Sequence, residues 1–165
     1  MIVGIIGDTH DRLPLLEKAV RRLNKEGAEL VLHTGDYISA FAVQRLKGLK
    51  AHLIGVFGNN DGDRELLKKQ FAVLDAEIRG RYAEITIDGL KIAMLHGEEE
   101  ELLHSLIKTG SYDVVVHGHT HEARTYREGK TLIINPGEVC GYLTEKSTIS
   151  ILNTESLDVR TIQLT

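Results

Sequence analysis

Residues 2–10 read IVGIIGDTH, an apolar run that ends in Asp8 and His10. The run is long enough for one strand and far shorter than the roughly 20 apolar residues that a membrane span needs. Strands covered on both faces are apolar without alternation, so Ile2–Ile6 predicts a buried first strand. This apolar run has no basic segment before it and no small-residue cleavage site after it, so we expect no signal peptide.

The same pattern, an apolar strand that runs into polar side chains, occurs four more times. Residues 30–36 read LVLHTGD, residues 53–61 read LIGVFGNND, residues 92–97 read IAMLHG and residues 114–121 read VVVHGHTH. In an open α/β sheet the carboxyl ends of parallel strands share one edge, where ligands bind. We therefore expect the five loops to bring their polar side chains together, with neighbouring glycines allowing sharp turns.

Helical patterns separate the early strands. Apolar residues recur at helical spacing over 16–23 and 42–49, and further helices are expected over about 64–71 and 98–109. Alternation over 85–92 around an Asp-Gly turn predicts a hairpin, and short strands separated by turns follow from Arg124 onward. We therefore expect an α/β fold with two packed mixed β-sheets flanked by helices, forming a single domain over residues 1–165.

The composition is that of an ordinary globular protein and excludes several classes. The chain has 165 residues, of which 42% are hydrophobic and 27% charged, with a net charge of −4. No basic tract is present, which disfavours a nucleic-acid polymer as a partner, and no apolar run predicts a membrane segment. Cys140 is the only cysteine. This agrees with a reducing compartment, so we expect a cytoplasmic protein, and the sequence leaves a homodimer open.

Seven polar residues at these strand ends are candidate metal ligands: Asp8, His10, Asp36, Asn59, His96, His119 and His121. Without a cation, such groups at a buried edge would repel one another or stay unsatisfied. A mixture of carboxylate, amide and imidazole suits manganese, nickel, iron, zinc or cobalt, and we expect manganese or nickel first. Seven ligands exceed the needs of one ion. We therefore expect two divalent metal ions that share a carboxylate, an arrangement common in phosphoryl transfer.

The order Asp-x-His, Gly-Asp, Gly-Asn-x-Asp, His, Gly-His-x-His resembles that of the calcineurin-like metallophosphoesterases over nearly the whole chain. The short length and the Asn-Pro-Gly-Glu sequence at 135–138 resemble the small archaeal and bacterial phosphodiesterases. The resemblance implies an α/β/β/α sandwich and a small phosphate ester as substrate. It also implies two ligand sets that Asp36 bridges: Asp8, His10 and His121 for one ion, and Asn59, His96 and His119 for the other.

One position departs from the family pattern. Many members place a histidine near the leaving group, directly after the metal-binding asparagine, where this chain has Asn60. An amide donates a hydrogen bond but cannot deliver a proton at neutral pH. We therefore expect a phosphodiesterase rather than a phosphomonoesterase, in which a metal-bridging hydroxide attacks phosphorus in line. Asn60 and Asp61 are the candidate catalytic residues, with Asp61 orienting a neighbour or a water.

Each motif alone also has a structural explanation. The Asp8-Thr9 pair is a good helix cap, and residues 59–62 form a strong turn sequence. The remaining histidines, His33, His52, His104 and His117, are expected to be structural or surface residues, with His117 close behind the ligands. Cys140 is expected to be buried and inert, and Asn135 and Glu138 are expected to shape a turn, with lining of the site through that turn as the alternative.

The sequence leaves two other functions open. A non-catalytic protein-binding scaffold, metal-bound or metal-free, is suggested by the eukaryotic retromer subunit that resembles this fold. The retention of every candidate ligand favours the enzyme instead. A nuclease of the same superfamily is disfavoured because the chain lacks a basic surface.

Overall fold

A computed structural model describes all 165 residues, and its eleven strands form two sheets. The strands are β1 (Ile2–Ile6), β2 (Leu30–His33), β3 (His52–Gly55), β4 (Glu77–Ile78), β5 (Tyr82–Ile87), β6 (Leu90–Leu95), β7 (Val114–Val116), β8 (Ala123–Glu128), β9 (Thr131–Pro136), β10 (Thr148–Asn153) and β11 (Val159–Gln163). The helices are α1 (Leu13–Lys25), α2 (Ala40–Arg45), α3 (Arg64–Val73) and α4 (Glu100–Lys108). None of these helices has the length and apolarity that crossing a bilayer requires.

Both sheets are mixed. The first has the order β11-β10-β1-β2-β3-β4, in which β1 to β4 run parallel and β10 and β11 pair antiparallel. The second has the order β5-β6-β7-β9-β8, in which β6, β7 and β9 run parallel between two antiparallel edge strands. The predicted fold class, two mixed sheets flanked by helices, is therefore confirmed.

Three buried apolar clusters hold the layers together. Alternate residues of β1, such as Val3 and Ile5, join a 15-residue cluster between the sheets. The opposite face of β1 joins a 20-residue cluster with α1, where Leu16 and Leu23 are fully buried. Ile107 of α4 packs in a 5-residue cluster on the second sheet. Full burial of such a side chain contributes about 1.5–3 kcal/mol. Because α1 packs on the first sheet and α4 on the second, the order of layers is α/β/β/α.

The regular elements differ from the sequence predictions mainly at their ends. The helix predicted over 42–49 ends at Arg45 and continues as a 3-10 turn, Leu46–Gly48. The helix predicted over 98–109 begins at Glu100, and Glu98 instead lies 2.7 Å from Arg81. Strand β4 was not predicted, because two residues are too few to show alternation. These differences leave the strand ends that carry the candidate ligands in place.

Candidate active site

The candidate ligands follow five parallel strands, three from one sheet and two from the other. Loops of the first sheet carry Asp8 and His10 after β1, Asp36 after β2 and Asn59 after β3, and loops of the second carry His96 after β6 and His119 and His121 after β7. The carboxyl ends of both sets of strands meet at one side of the sandwich. The structure therefore draws side chains from both sheets into one cluster.

Two carboxylates lie at the centre of this cluster. Asp36 Oδ2 is 3.4 Å from His10 Nε2 and 3.3 Å from His96 Nε2. Asp8 Oδ1 is 3.8 Å from His10 Nε2 and 3.9 Å from His96 Nε2, and it is 3.3 Å from the Nε2 atom of His121. Asp8, Asp36 and His96 are at most 1% exposed. Three candidate ligands, His10, His96 and His121, thus surround Asp8 and Asp36 with their Nε2 atoms facing the two carboxylates.

Three of these atoms are buried and have no hydrogen-bond partner: Asp8 Oδ1, His10 Nε2 and His96 Nε2. Leaving a buried polar atom unpaired costs about 1–3 kcal/mol, and more for a charged group, so three together need a common partner. Carboxylate oxygens and imidazole nitrogens are ligands of divalent transition metals. A divalent transition metal would therefore be a suitable common partner for the three atoms.

The second ring nitrogens support the same interpretation. His96 Nδ1 lies 2.9 Å from the carbonyl oxygen of Thr34, and His121 Nδ1 lies 2.7 Å from Glu138 Oε2. An acceptor at Nδ1 places the proton there and leaves the Nε2 lone pair free, as in histidines that bind metals. Burial lowers the pKa of His96, but Asp36 and Asp8 outweigh burial and raise it to about 9, so at neutral pH a bound metal would replace a proton on Nε2.

His119 is attached to the cluster through its backbone and its ring. Its amide nitrogen donates a hydrogen bond to Asp8 Oδ2 at 3.1 Å. Its ring packs edge-on against that of His96, with ring centroids 5.2 Å apart. Asn135 supports this loop from behind, because its Nδ2 donates to the Gly118 carbonyl at 3.0 Å and to Thr120 Oγ1 at 2.9 Å. The two imidazoles of the Gly-His-x-His motif therefore lie at one site.

The adjacent residues Asn59 and Asn60 differ in their contact with Asp36. The Asn60 backbone donates to Asp36 Oδ1 at 2.9 Å, and its Nδ2 donates to Asp36 Oδ2 at 2.8 Å. Asn59 is exposed and its side chain makes no hydrogen bond. The structure therefore brings Asn60, and not Asn59, onto the central carboxylate. Metal ligation by Asn59 and a catalytic role for Asn60 stay predictions.

Asp61 is buried and supports the loop that carries Asp36. Its two oxygens accept hydrogen bonds at 2.8–3.0 Å from four backbone N–H groups, those of Asp36, Tyr37, Ile38 and Gly58. Desolvation raises its pKa, although these donors act in the opposite direction. Because both oxygens accept from this backbone, Asp61 holds the Asp36 segment in position.

Glu138 is a supporting residue for which the sequence favoured a turn, with lining of the site as the alternative. Its carboxylate is fully buried and accepts from His121 Nδ1 and from Cys140 Sγ, the latter at 2.9 Å. It also accepts from the backbone N–H groups of Tyr142, Leu143 and Thr144. Burial raises the pKa of Glu138, but hydrogen bonds from Cys140, Thr144 and His121 outweigh burial and lower it to about 2. No sequence spacing links Glu138 to His121, so this contact was missed.

The backbone of the site is strained. Five of the seven candidate ligands have positive φ angles: Asp8 (49°), His10 (41°), Asp36 (60°), His119 (69°) and His121 (63°). Such angles are uncommon outside glycine and concentrate at functional sites. Glycines also clear the space: a Cβ at Gly58 would overlap Asp36 Oδ1, and one at Gly118 would lie 2.7 Å from Asp8 Oδ2.

The other histidines lie outside the cluster. His33 is buried, stacks on Tyr37 with ring centroids 4.0 Å apart, and accepts from the Gly35 backbone at 3.1 Å. Burial lowers its pKa to about 3. The Nδ1 atom of His117 faces the Gly118 carbonyl at 3.1 Å, and His52 and His104 are exposed. Cys140 is buried beside His10 and His121, and burial raises the pKa of its thiol.

Comparisons with known proteins identify the family and the fold. The model of the calcineurin-like phosphoesterase superfamily domain matches residues 1–157. The chain is 44% identical over 165 residues to phosphodiesterase MJ0936 of Methanocaldococcus jannaschii, with 99% of each chain covered. A solved archaeal phosphodiesterase superposes with a TM-score of 0.95 at 43% identity, over 99% of both chains. Vps29 of Entamoeba histolytica in complex with zinc superposes over the whole of both chains with a TM-score of 0.70, and at 21% identity it shows a shared fold alone.

Proposed function

The chain belongs to the calcineurin-like phosphoesterase superfamily and is a metal-dependent phosphoesterase, and we propose that it hydrolyses small phosphodiesters with two divalent metal ions. One observation carries the proposal: Asp8 Oδ1, His10 Nε2 and His96 Nε2 are buried together without a partner. A mixed oxygen and nitrogen donor set suits several divalent transition metals, and of these we propose manganese or nickel.

In this proposal the ligands form two sets that Asp36 joins: Asp8, His10 and His121 in one, and Asn59, His96 and His119 in the other. The position of Asp36 supports its bridging role, because Asp36 Oδ2 lies within 3.4 Å of a ring nitrogen from each set. Asp61 fixes the Asp36 backbone, and Glu138 fixes the His121 ring.

The chemistry follows from the metals and from the neighbouring amide. Bound divalent ions lower the pKa of a coordinated water and neutralise charge that develops on phosphoryl oxygens. Asn60 is exposed at the mouth of the site, and its Nδ2 carries two hydrogens, of which one is donated to Asp36. The other is free to bind a phosphoryl oxygen. Because an amide cannot protonate the departing oxygen, esters with good leaving groups should react fastest.

The test is hydrolysis of bis(4-nitrophenyl) phosphate and 4-nitrophenyl phosphate with manganese or nickel added to the chelator-treated protein. We expect the diester to react faster, and EDTA to abolish the reaction. The variant Asp36→Asn should lose both metal and activity. Asp75→Asn, the same change at the end of α3, should lose neither, because asparagine tolerates the positive φ of that position.

A second candidate is a metal-bound scaffold without catalysis, and the amide at Asn60 is the observation that favours it. Metal analysis combined with the diester assay separates the two functions. Two equivalents of bound metal with turnover support the phosphodiesterase. Two equivalents without hydrolysis of any diester, across several metals, overturn it in favour of the scaffold.

A further inference from the structure

An aromatic side chain is exposed at the edge of the metal site. Tyr142 is 53% exposed, and its ring centroid lies 6.5 Å from that of His10 with the rings inclined at 61°. His10 in turn faces Asp36 Oδ2 at 3.4 Å. A large ring left open to solvent beside charged ligands is unlike the buried positions that most of the chain's apolar side chains occupy.

Two contacts hold this ring in place. The guanidinium carbon of Arg12 lies 5.1 Å from the Tyr142 ring centroid, within cation–π distance. The backbone N–H of Tyr142 donates to Glu138 Oε2 at 2.9 Å, and the same oxygen lies 2.7 Å from His121 Nδ1. One carboxylate therefore fixes both a candidate ligand and the segment that carries the ring. A ring ordered before binding loses little conformational freedom when a ligand contacts it.

The charge around the ring suits an anionic substrate. Arg12 is exposed and forms no ion pair, and the neighbouring Asp11 accepts a hydrogen bond from the Ser39 hydroxyl at 2.6 Å. The Arg12 guanidinium is therefore available to an anionic group beside the Tyr142 ring. This combination binds the phosphate of an ester together with a planar group attached to it.

On the basis of the proposed phosphodiesterase activity, we propose that Tyr142, backed by Arg12, is the platform on which a planar aromatic ester group of the substrate stacks. His10 lies between the central carboxylate and the ring, so a phosphate ester held by metal ions at Asp36 would have Tyr142 within reach of one of its ester groups. A nucleoside base and an aryl group share the required planar face. Replacing such an aromatic side chain by alanine weakens stacking by roughly 5- to 150-fold.

Binding tests the platform without catalysis. Adenosine 5′-monophosphate and ribose 5-phosphate share the phosphate and the sugar and differ in the base, and their affinities for the manganese-loaded protein are measured by calorimetry. We expect about tenfold tighter binding of the adenosine compound, a preference that Tyr142→Phe retains and Tyr142→Ala abolishes. Tyr126→Ala is the matched control, because Arg124 covers Tyr126 at 4.7 Å in the same way on strand β8.

Hydrolysis of two diesters tests whether Tyr142 also binds an aryl ester group. Methyl 4-nitrophenyl phosphate and phenyl 4-nitrophenyl phosphate have the same leaving group, so they differ only in the group that remains. Tyr142→Ala should raise KM about tenfold for the phenyl ester and leave the methyl ester unchanged. Equal affinities for the two monophosphates in the unmodified protein, or an equal loss for both diesters in the variant, overturn the platform and leave the activity standing. If neither diester is hydrolysed, the phosphodiesterase proposal is overturned instead.

Discussion

Glu138 shows how one buried carboxylate supports two functions of the site. It fixes the proton of His121 on Nδ1 and so directs the Nε2 lone pair toward Asp8 Oδ1, 3.3 Å away. It also binds the turn that carries Tyr142. A charged acceptor with several donors around it is stable when buried, because every lone pair is used. One carboxylate therefore ties a candidate metal ligand to the turn that carries the proposed stacking ring.

Changing this carboxylate to an amide should weaken metal binding. Glu138→Gln keeps the shape, but its NH₂ group faces donors, so His121 loses its orienting acceptor. We expect metal affinity to fall about 10- to 100-fold, measured by calorimetric titration of manganese into the chelator-treated protein. Glu122→Gln makes the same change at an exposed position next to His121 and should have no effect. Equal affinities of Glu138→Gln and the unmodified protein would contradict the role given to Glu138.

His33 should make the metal-free protein sensitive to acid. Its pKa is about 3 in the folded protein and near 6.5 in the unfolded chain, so between these values the unfolded state binds one more proton. The free energy of unfolding therefore decreases as the pH falls from about 6.5 toward 3.

The size of this effect follows from the same two pKa values. Between pH 7 and pH 5 the contribution of His33 to stability should fall by about 2 kcal/mol. Urea unfolding at both pH values in EDTA measures the loss, which should be absent in His33→Gln and unchanged in His52→Gln, a change at an exposed histidine. The same pH dependence in all three proteins would show that His33 is not its source.

At the scale of elements, the strands position the ligands, and the loops after them supply the strained geometry. The turn after β3 shows this most clearly, because Gly58 leaves space for the Asp36 carboxylate while Asp61 binds the Asp36 backbone. Two loops from neighbouring parallel strands thus interlock through a glycine and a carboxylate. The bridging position proposed for Asp36 depends on both loops at once.

A methyl group at Gly58 should disrupt this interlock. Its Cβ would overlap Asp36 Oδ1, and the backbone nitrogen of Asp36 lies 2.7 Å from the same point, so the loop has to shift. We expect Gly58→Ala to lose about 1–3 kcal/mol of stability and to bind manganese more weakly. The control lies in the same loop, since a Cβ at Gly62 meets nothing within 4 Å. Urea unfolding and metal titration of both variants provide the comparison, and similar losses in the two would refute the interlock.

The elements differ in how far the sequence predicts them. Long periodic segments such as α1 and the β5–β6 hairpin are predicted correctly, because their side chains repeat at the spacing of a helix or a strand. The extent of α2 and the short β4 depends on contacts with distant parts of the chain. The clustering of Asp8, Asp36 and His96 follows from strand ends alone. The contact of Glu138 with His121 arises only through space, and residue type alone does not distinguish which of the two adjacent asparagines faces Asp36.

For the whole molecule, the two sheets are joined in two different ways. The 15-residue apolar cluster packs them together over their inner faces. At one side, the candidate ligands come from both sheets, with Asp8, His10 and Asp36 facing His96 and His121. Bound ions would therefore link the sheets directly at the edge where five loops leave them. Like-charged carboxylates and unpaired nitrogens at this edge favour local opening in the metal-free protein.

Metal removal should consequently loosen both sheets together. Manganese at 100 times its dissociation constant should stabilise the protein by about 2.7 kcal/mol, because the unfolded chain lacks the assembled site. Hydrogen exchange should slow on metal addition at the carboxyl ends of β1 and β2 and equally at those of β6 and β7. Asp36→Asn should show neither response, since it removes the carboxylate on which both ligand sets converge. Protection confined to one sheet would mean that the ions bind without crossing the sandwich, and the bridging role proposed for Asp36 would then be wrong.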